Sequence, residues 1–168
     1  MQDEEDLALL PKSDLKKVES FARALGVSLS SFLSNPVFLS RNGRKDVFDL
    51  PLFPKPVTKK YLYSLGFYVG YIKGKVFYPS LMLSKRLSRL CFLRICNRVD
   101  GFGEKVFLYN RRVLEGHIIE FRKGISIVVN ERGEPLGWGV GKAIYMKNKE
   151  IKVVDPLKDL GWYLRRGG

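Results

Sequence analysis

Between Leu50 and Val99 the chain has no acidic residue, while ten lysines and arginines fall in the same stretch: Lys55, Lys59, Lys60, Lys73, Lys75, Lys85, Arg86, Arg89, Arg94 and Arg98. A solvated surface normally mixes both signs. A long segment of one sign, woven here with Tyr61, Tyr63, Phe67, Tyr68, Tyr71, Phe77 and Tyr78, sets up a field that attracts polyanions. Nucleic acid, and RNA in particular, is therefore the expected partner.

Other scarcities exclude function classes. There is a single histidine, His117, and there are two cysteines, Cys91 and Cys96. Two cysteines are too few for a disulfide scaffold. They sit in an apolar run, where a strand would point them to opposite faces, so both read as buried small hydrophobes. One histidine without a neighbouring ligand set argues against a zinc site of the usual kind, and His117 reads as structural. A serine or cysteine nucleophile would have only that histidine as its base, and the acids form no paired motif. The chain is thus expected to be non-enzymatic, with no catalytic residue, metal or cofactor. No apolar run approaches the roughly 18 residues that span a bilayer. The acidic start (Asp3, Glu4, Glu5, Asp6) lacks the basic-then-apolar order of a secretion signal. A cytoplasmic protein without a membrane partner is the expectation.

What is present is enough for a folded core: 168 residues, 45% of them apolar, with 30 basic and 17 acidic residues and a net charge of +13. That length fits one large or two small domains. Charge is uneven: residues 1–98 hold 17 basic against 8 acidic residues, and residues 99–168 hold 13 against 9.

Leu15, Val18, Phe21, Ala22 and Leu25 recur at helical spacing, which predicts a helix over Ser13 to Leu25 that Ser13 starts and Gly26 stops. Val37 to Leu50 reads as a hairpin turning at Asn42-Gly43. Pro51, Pro54 and Pro56 interrupt the chain before a short helix at Thr58 to Leu65. Phe67 to Ile72 is aromatic and β-rich and reads as a strand. Lys73-Gly74-Lys75 turns into Val76-Phe77-Tyr78, and Pro79 opens a helix over Ser80 to Leu90. Cys91 to Val99 reads as a strand. Asp100-Gly101-Phe102-Gly103 is a composition shift and marks a domain boundary. Beyond it, short strands are expected at Val106 to Leu108, His117 to Phe121, Ile125 to Val129, Leu136 to Ile144 and Ile151 to Val154. A helical turn is expected at Asn110 to Leu114, a loop at Asn130 to Glu134 and a closing helix at Pro156 to Arg165. Many short strands in so few residues suit a small barrel or sandwich.

Gly137, Gly139 and Gly141 alternate with Trp138 and Val140. A glycine face costs strand stability and marks a place where another backbone or a ligand comes close, so either packed protein or nucleic acid is expected against it. The segment is not a phosphate loop, because Gly141-Lys142 is followed by Ala143 and Leu136 stands at the first-glycine position. Lys142, Lys147, Lys149 and Lys152 surround the turn after this strand, with Lys158, Arg165 and Arg166 beyond. Lysines so placed reach phosphates as point charges, giving affinity without base specificity. Arg111, Arg112, Arg122 and Lys123 offer secondary contacts. The aromatics of residues 61–78 either stack on bases or fill a core.

Phe107-Leu108-Tyr109, Val113-Leu114, Pro135-Leu136-Gly137-Trp138-Gly139-Val140 and Asp159-Leu160-Gly161-Trp162-Tyr163-Leu164-Arg165 together resemble a PUA domain, the RNA-binding module named for pseudouridine synthases and archaeosine transglycosylases. Tyr63-Ser64-Leu65-Gly66, Val69-Gly70 and Phe77-Tyr78-Pro79-Ser80-Leu81 resemble the partner domain of one PUA subtype. In order and spacing the motifs resemble the Nip-seven family of ribosome-biogenesis factors, its archaeal branch above all. The resemblance implies an α+β protein: an N-terminal α/β domain with a mainly antiparallel sheet over 1–99, then a PUA pseudo-barrel over 100–168. It implies maturation of large-subunit ribosomal RNA without catalysis, as a monomer that binds pre-rRNA, uridine-rich single strands and other ribosome-assembly proteins. A eukaryotic member would be nucleolar. Lys152 and Lys158 fall on the family's basic positions in the last strand and the turn after it. Ile151 and Asp155 depart from that pattern, and Lys147 and Lys149 stand in from the preceding loop. A different class of function, an accessory or catalytic component of tRNA or rRNA modification, is the alternative, because PUA modules often accompany such enzymes.

Overall fold

A computed structural model describes residues 8–51 and 66–159. Two compact units emerge from it: residues 1–23 with 27–83, and residues 24–26 with 84–168.

The first unit pairs β1 (Ala8–Leu9), β2 (Pro36–Arg41), β3 (Arg44–Asp49), β4 (Phe67–Lys73) and β5 (Val76–Pro79) in sequential antiparallel order. Helix α1 (Lys12–Leu25) forms where the apolar spacing places it and ends at Gly26, whose φ of +92° is the left-handed conformation glycine adopts without strain. Asn42 and Gly43 both take positive φ, 49° and 73°, the pattern of a tight two-residue hairpin turn between β2 and β3. Val37, Leu39, Phe48 and Leu50 form a buried cluster with Tyr68 against it. Phe77 is buried edge-on to Phe21 at 5.2 Å, so this aromatic fills the core. Tyr78 instead stacks at 4.8 Å on Tyr71, whose ring lies under the Arg44 guanidinium. Tyr61, Tyr63 and the expected helix at 58–65 lie outside the described residues.

The second unit holds a six-stranded sheet ordered β7-β11-β10-β9-β6-β8: β6 (Cys96–Val99), β7 (Val113–Leu114), β8 (Ile118–Glu120), β9 (Gly124–Val129), β10 (Pro135–Met146) and β11 (Lys149–Asp159). All neighbours are antiparallel except β6 and β9. Val99, Phe107, Val113, Val128, Leu136 and Val154 make its core cluster. The composition shift at Asp100 falls inside this unit, because β6 pairs with β9 and β8. Among the described residues no helix is long and apolar enough to cross a membrane.

Five local expectations are corrected. The helix begun at Leu81 (α2, Leu81–Leu87) passes into a tight 3-10 segment at Ser88–Leu93, so only Cys96–Val99 of the expected Cys91 strand is extended. Arg94 then takes a left-handed φ of 60° and reverses the chain, which brings the Cα atoms of Cys91 and Cys96 to 5.3 Å. The two cysteines are disulfide-bonded, not free hydrophobes. In an extended strand they would stand roughly 16 Å apart.

The segment that follows Asp100, through the expected strand at Val106 to Leu108, is helical. It forms α3 (Gly101–Leu108), because the Asp100 Oδ1 accepts from the Gly103 N–H at 2.7 Å and caps the helix start. Gly103 also lies so close to the His117 carbonyl and Val99 that a Cβ would stand 2.9 Å from each. Asn110 to Leu114 is not a helical turn: Asn110 takes a left-handed φ of 59° and the chain extends into β7. Strand β11 runs on through Pro156 to Asp159 where a helix was expected, and residues 160–165 lie outside the described residues.

Candidate nucleic-acid interface

The charge of the first unit is one-sided in space as well as in sequence. Asp14, Asp46 and Asp49 are buried. The Asp49 Oδ1 accepts from the Ser34 and Asn35 N–H groups at 2.7 and 2.9 Å, holding a loop. Asp14 receives Lys45 at 2.6 Å and Lys17 at 2.9 Å. Its burial alone would raise its pKa, but these hydrogen bonds and charges prevail and hold it below the usual carboxylate range. Glu19 is the exposed acid among the described residues of this unit, beside Lys12, Lys16, Arg23, Arg41, Lys73 and Lys75, all exposed. The acid-free run does not make one feature, however. Lys73 and Lys75 belong to the first unit, Lys85 through Arg98 to the second, and Lys55, Lys59 and Lys60 lie outside the described residues. Arg98 is also spent, on Glu120 at 3.3 Å and on the Glu131 carbonyl at 3.0 Å.

In the second unit the lysines gather on the hairpin of β10 and β11. Its two-residue tip, Lys147-Asn148, takes φ of 50° and 63°, so Met146 pairs with Lys149, Tyr145 with Glu150, Ile144 with Ile151 and Ala143 with Lys152. Paired residues share a face and successive ones alternate. Lys149 therefore lies on one face of the ribbon and Lys152 on the other, with Lys147 at the tip between them. All three are exposed, and among the described residues none makes an ion pair. The Lys152 ammonium lies 5.3 Å from the Phe121 ring centroid. Beside the tip stand Tyr145, 79% exposed, and Met146. Sequence reasoning passed over Tyr145; its alternation with Ala143 and Gly141 along a strand was the available signal.

The remaining expected residues part ways. Lys142 is held by Asp155 at 2.5 Å, and Arg112 takes the same carboxylate with two hydrogen bonds of 2.6 and 2.9 Å. The Arg112 bond, then the Lys142 bond, against an opposing contribution from burial, push Asp155 down to about 2. Lys158 lies in β11 opposite Trp138. Arg165 and Arg166 lie outside the described residues. Arg111 and Lys123 are exposed. Arg122 is occupied by the protein: its guanidinium donates to the carbonyls of Ile125, Arg94 and Ala24 at 2.9 to 3.0 Å, and its own N–H to the Asn97 Oδ1 at 2.7 Å.

That same loop answers the glycine alternation. A Cβ on Gly141 would fall 1.8 Å from the Arg122 carbonyl oxygen, and one on Gly139 would meet Val128 at 2.7 Å. The glycine face is filled by the protein's own chain, so it is not the nucleic-acid approach. His117 is structural in the expected sense: its Nδ1 lies 2.9 Å from the Asp100 Oδ2.

Comparison with known proteins supplies the kinship. The model of a family described as the UPF0113 PUA domain matches residues 95–168. A UPF0113 protein of the archaeon Aeropyrum pernix is 39% identical over 155 residues, covering 90% of this chain and 87% of that protein. The crystal structure of a hypothetical protein from the hyperthermophilic archaeon Pyrococcus horikoshii aligns with a TM-score of 0.54 at 17% identity, over 95% of this chain and 99% of that one, a likeness of fold alone.

Proposed function

The chain belongs to the UPF0113 family and carries its PUA domain, and from that premise we propose that it is an RNA-binding assembly factor of the large ribosomal subunit, acting without catalysis. PUA domains are generally RNA-binding modules. The observation that carries the reading is the hairpin tip: the side chains of Lys147, Lys149 and Lys152 are exposed, make no ion pair among the described residues and flank the exposed Tyr145, although the Lys152 backbone N–H donates to the Glu115 carboxylate at 3.4 Å. Lysines disposed on both faces of a narrow ribbon grip a backbone and do not read base edges. The acid-poor surface of the first unit offers a second stretch of RNA a place to lie, or serves other assembly proteins. Ribosomal RNA precursors are the substrate that the family resemblance favours.

Salt tests this. Each phosphate contact to a single strand contributes about 0.7 to the slope of log affinity against log salt. Binding to a uridine-rich strand should therefore fall steeply with salt. Lys147→Ala, Lys149→Ala and Lys152→Ala together should flatten that slope by about 2 and weaken all sequences alike. A salt-independent wild type, or an unaltered triple variant, would overturn the proposal.

A further inference from the structure

Helix α3 presents a second outward feature that the hairpin does not explain. Phe102 has Lys105 and Val106 three and four residues on, Tyr109 follows them by four and three, and with Arg111 they line a surface pocket of about 330 Å³. A surface helix normally turns its apolar stripe inward, and α3 does so with Gly103 and Phe107. Yet Phe102 and Tyr109 remain 58% and 69% exposed on another side.

The Phe102 ring is supported from behind. It rests against the His117 imidazole at 4.4 Å between centroids, and His117 is held by the same Asp100 that caps the helix. Beyond Tyr109 the left-handed Asn110 turns the chain, and the Arg111 N–H returns to the Val106 carbonyl at 3.1 Å, which brings Arg111 into the pocket's lining. Among the described residues neither Lys105 nor Arg111 makes an ion pair. The acid on this helix, Glu104, lies 3.5 Å from the Asn130 amide instead. The volume sits at the small end of the ~300–1,000 Å³ range of ligand pockets. Aromatic walls suit a planar ring, and two free cations suit its phosphate.

We infer that this pocket holds one unstacked nucleobase of a single-stranded RNA, its ring against Phe102 or Tyr109 and its phosphate on Lys105 and Arg111. The inference rests on the RNA-binding reading above and deepens it: the hairpin grips backbone, whereas α3 takes a base.

The test is titration of the isotope-labelled full chain with adenosine 5′-monophosphate and, separately, with ribose 5-phosphate, followed by amide NMR. The nucleotide should shift the amides of residues 102–111. Ribose 5-phosphate, lacking the base, should bind roughly 5- to 150-fold more weakly. Phe102→Leu and Tyr109→Ala, both changes at exposed side chains, should each weaken the nucleotide response. Equal responses to the two ligands, or none at α3, would overturn the inference, whatever the polymer does. A shift at α3 in a protein that ignores RNA strands in dilute buffer would instead uphold the pocket and remove the hairpin reading. Shifts produced by an apolar peptide but not by the nucleotide would reassign the pocket to a protein partner and overturn it.

Discussion

The two units carry the same sign of charge and dispose of their acids in opposite ways. The first sinks Asp14, Asp46 and Asp49 into its interior, where they organise loops and anchor lysines. The second keeps its acids near the surface and uses them to cancel particular cations: Asp155 takes Arg112 and Lys142, Glu120 takes Arg98, and Glu134 takes Arg132. Burying these acids leaves the described surface of the first unit predominantly positive, with Glu19 as its exposed acid. Pairing it outside decides which cations stay free, and at the hairpin these are Lys147, Lys149 and Lys152. The first device makes a diffuse attraction, the second a located grip.

The comparison can be broken at its strongest point by Asp49→Ala. That change orphans two backbone N–H groups on Ser34 and Asn35, so the first unit should lose about 1–3 kcal/mol in urea unfolding. A loss well below that would mean that the buried acids of this unit are not structural. Asp155→Asn should do the reverse. Its pairs are partly exposed, so stability should change by less than about 1 kcal/mol. It should release Arg112 and Lys142, however, and so tighten RNA binding and steepen its salt dependence. Weaker binding would place Asp155 in the interface itself.

The smallest expected effect is in acid. The folded-state pKa of Asp155 lies at about 2, below its ordinary value of 3.8. The stability it contributes is therefore complete above pH ~4 and lost as pH falls towards 2. The lowered Asp14 acts in the same direction in the first unit. Thermal melts between pH 5 and 2 should fall more steeply for the wild type than for Asp155→Asn; identical profiles would mean that Asp155 is not paired in solution.

Much of the fold was legible because its signals are local. The helical spacing from Leu15 to Leu25 and the Asn42-Gly43 turn each carry their conformation within a few residues, and both stand where the pattern put them. The glycine alternation was read as a close approach, and the approaching backbone is that of Arg122. Helix α3 was missed because Val106-Phe107-Leu108 is as suited to a strand as to a helix. Two glycines in its first turn further lower helix propensity. Its identity depends on the Asp100 cap and on packing against Val99 and Val113. The disulfide was missed for a related reason: the left-handed Arg94 that makes it reachable carries no glycine to announce it.

Composition and short-range pattern by themselves determined the excess of positive charge, the helix and hairpins with tight turns, and the expectation of a polyanionic partner, since a sum of charges or a run of three to four residues needs no partner elsewhere in the chain. Only the tertiary structure decided which cations are free. Arg112 meets Asp155 across 43 positions, and Arg122 meets the Arg94 carbonyl across 28. Coulomb attraction and hydrogen bonding depend on distances in space that a linear order does not contain.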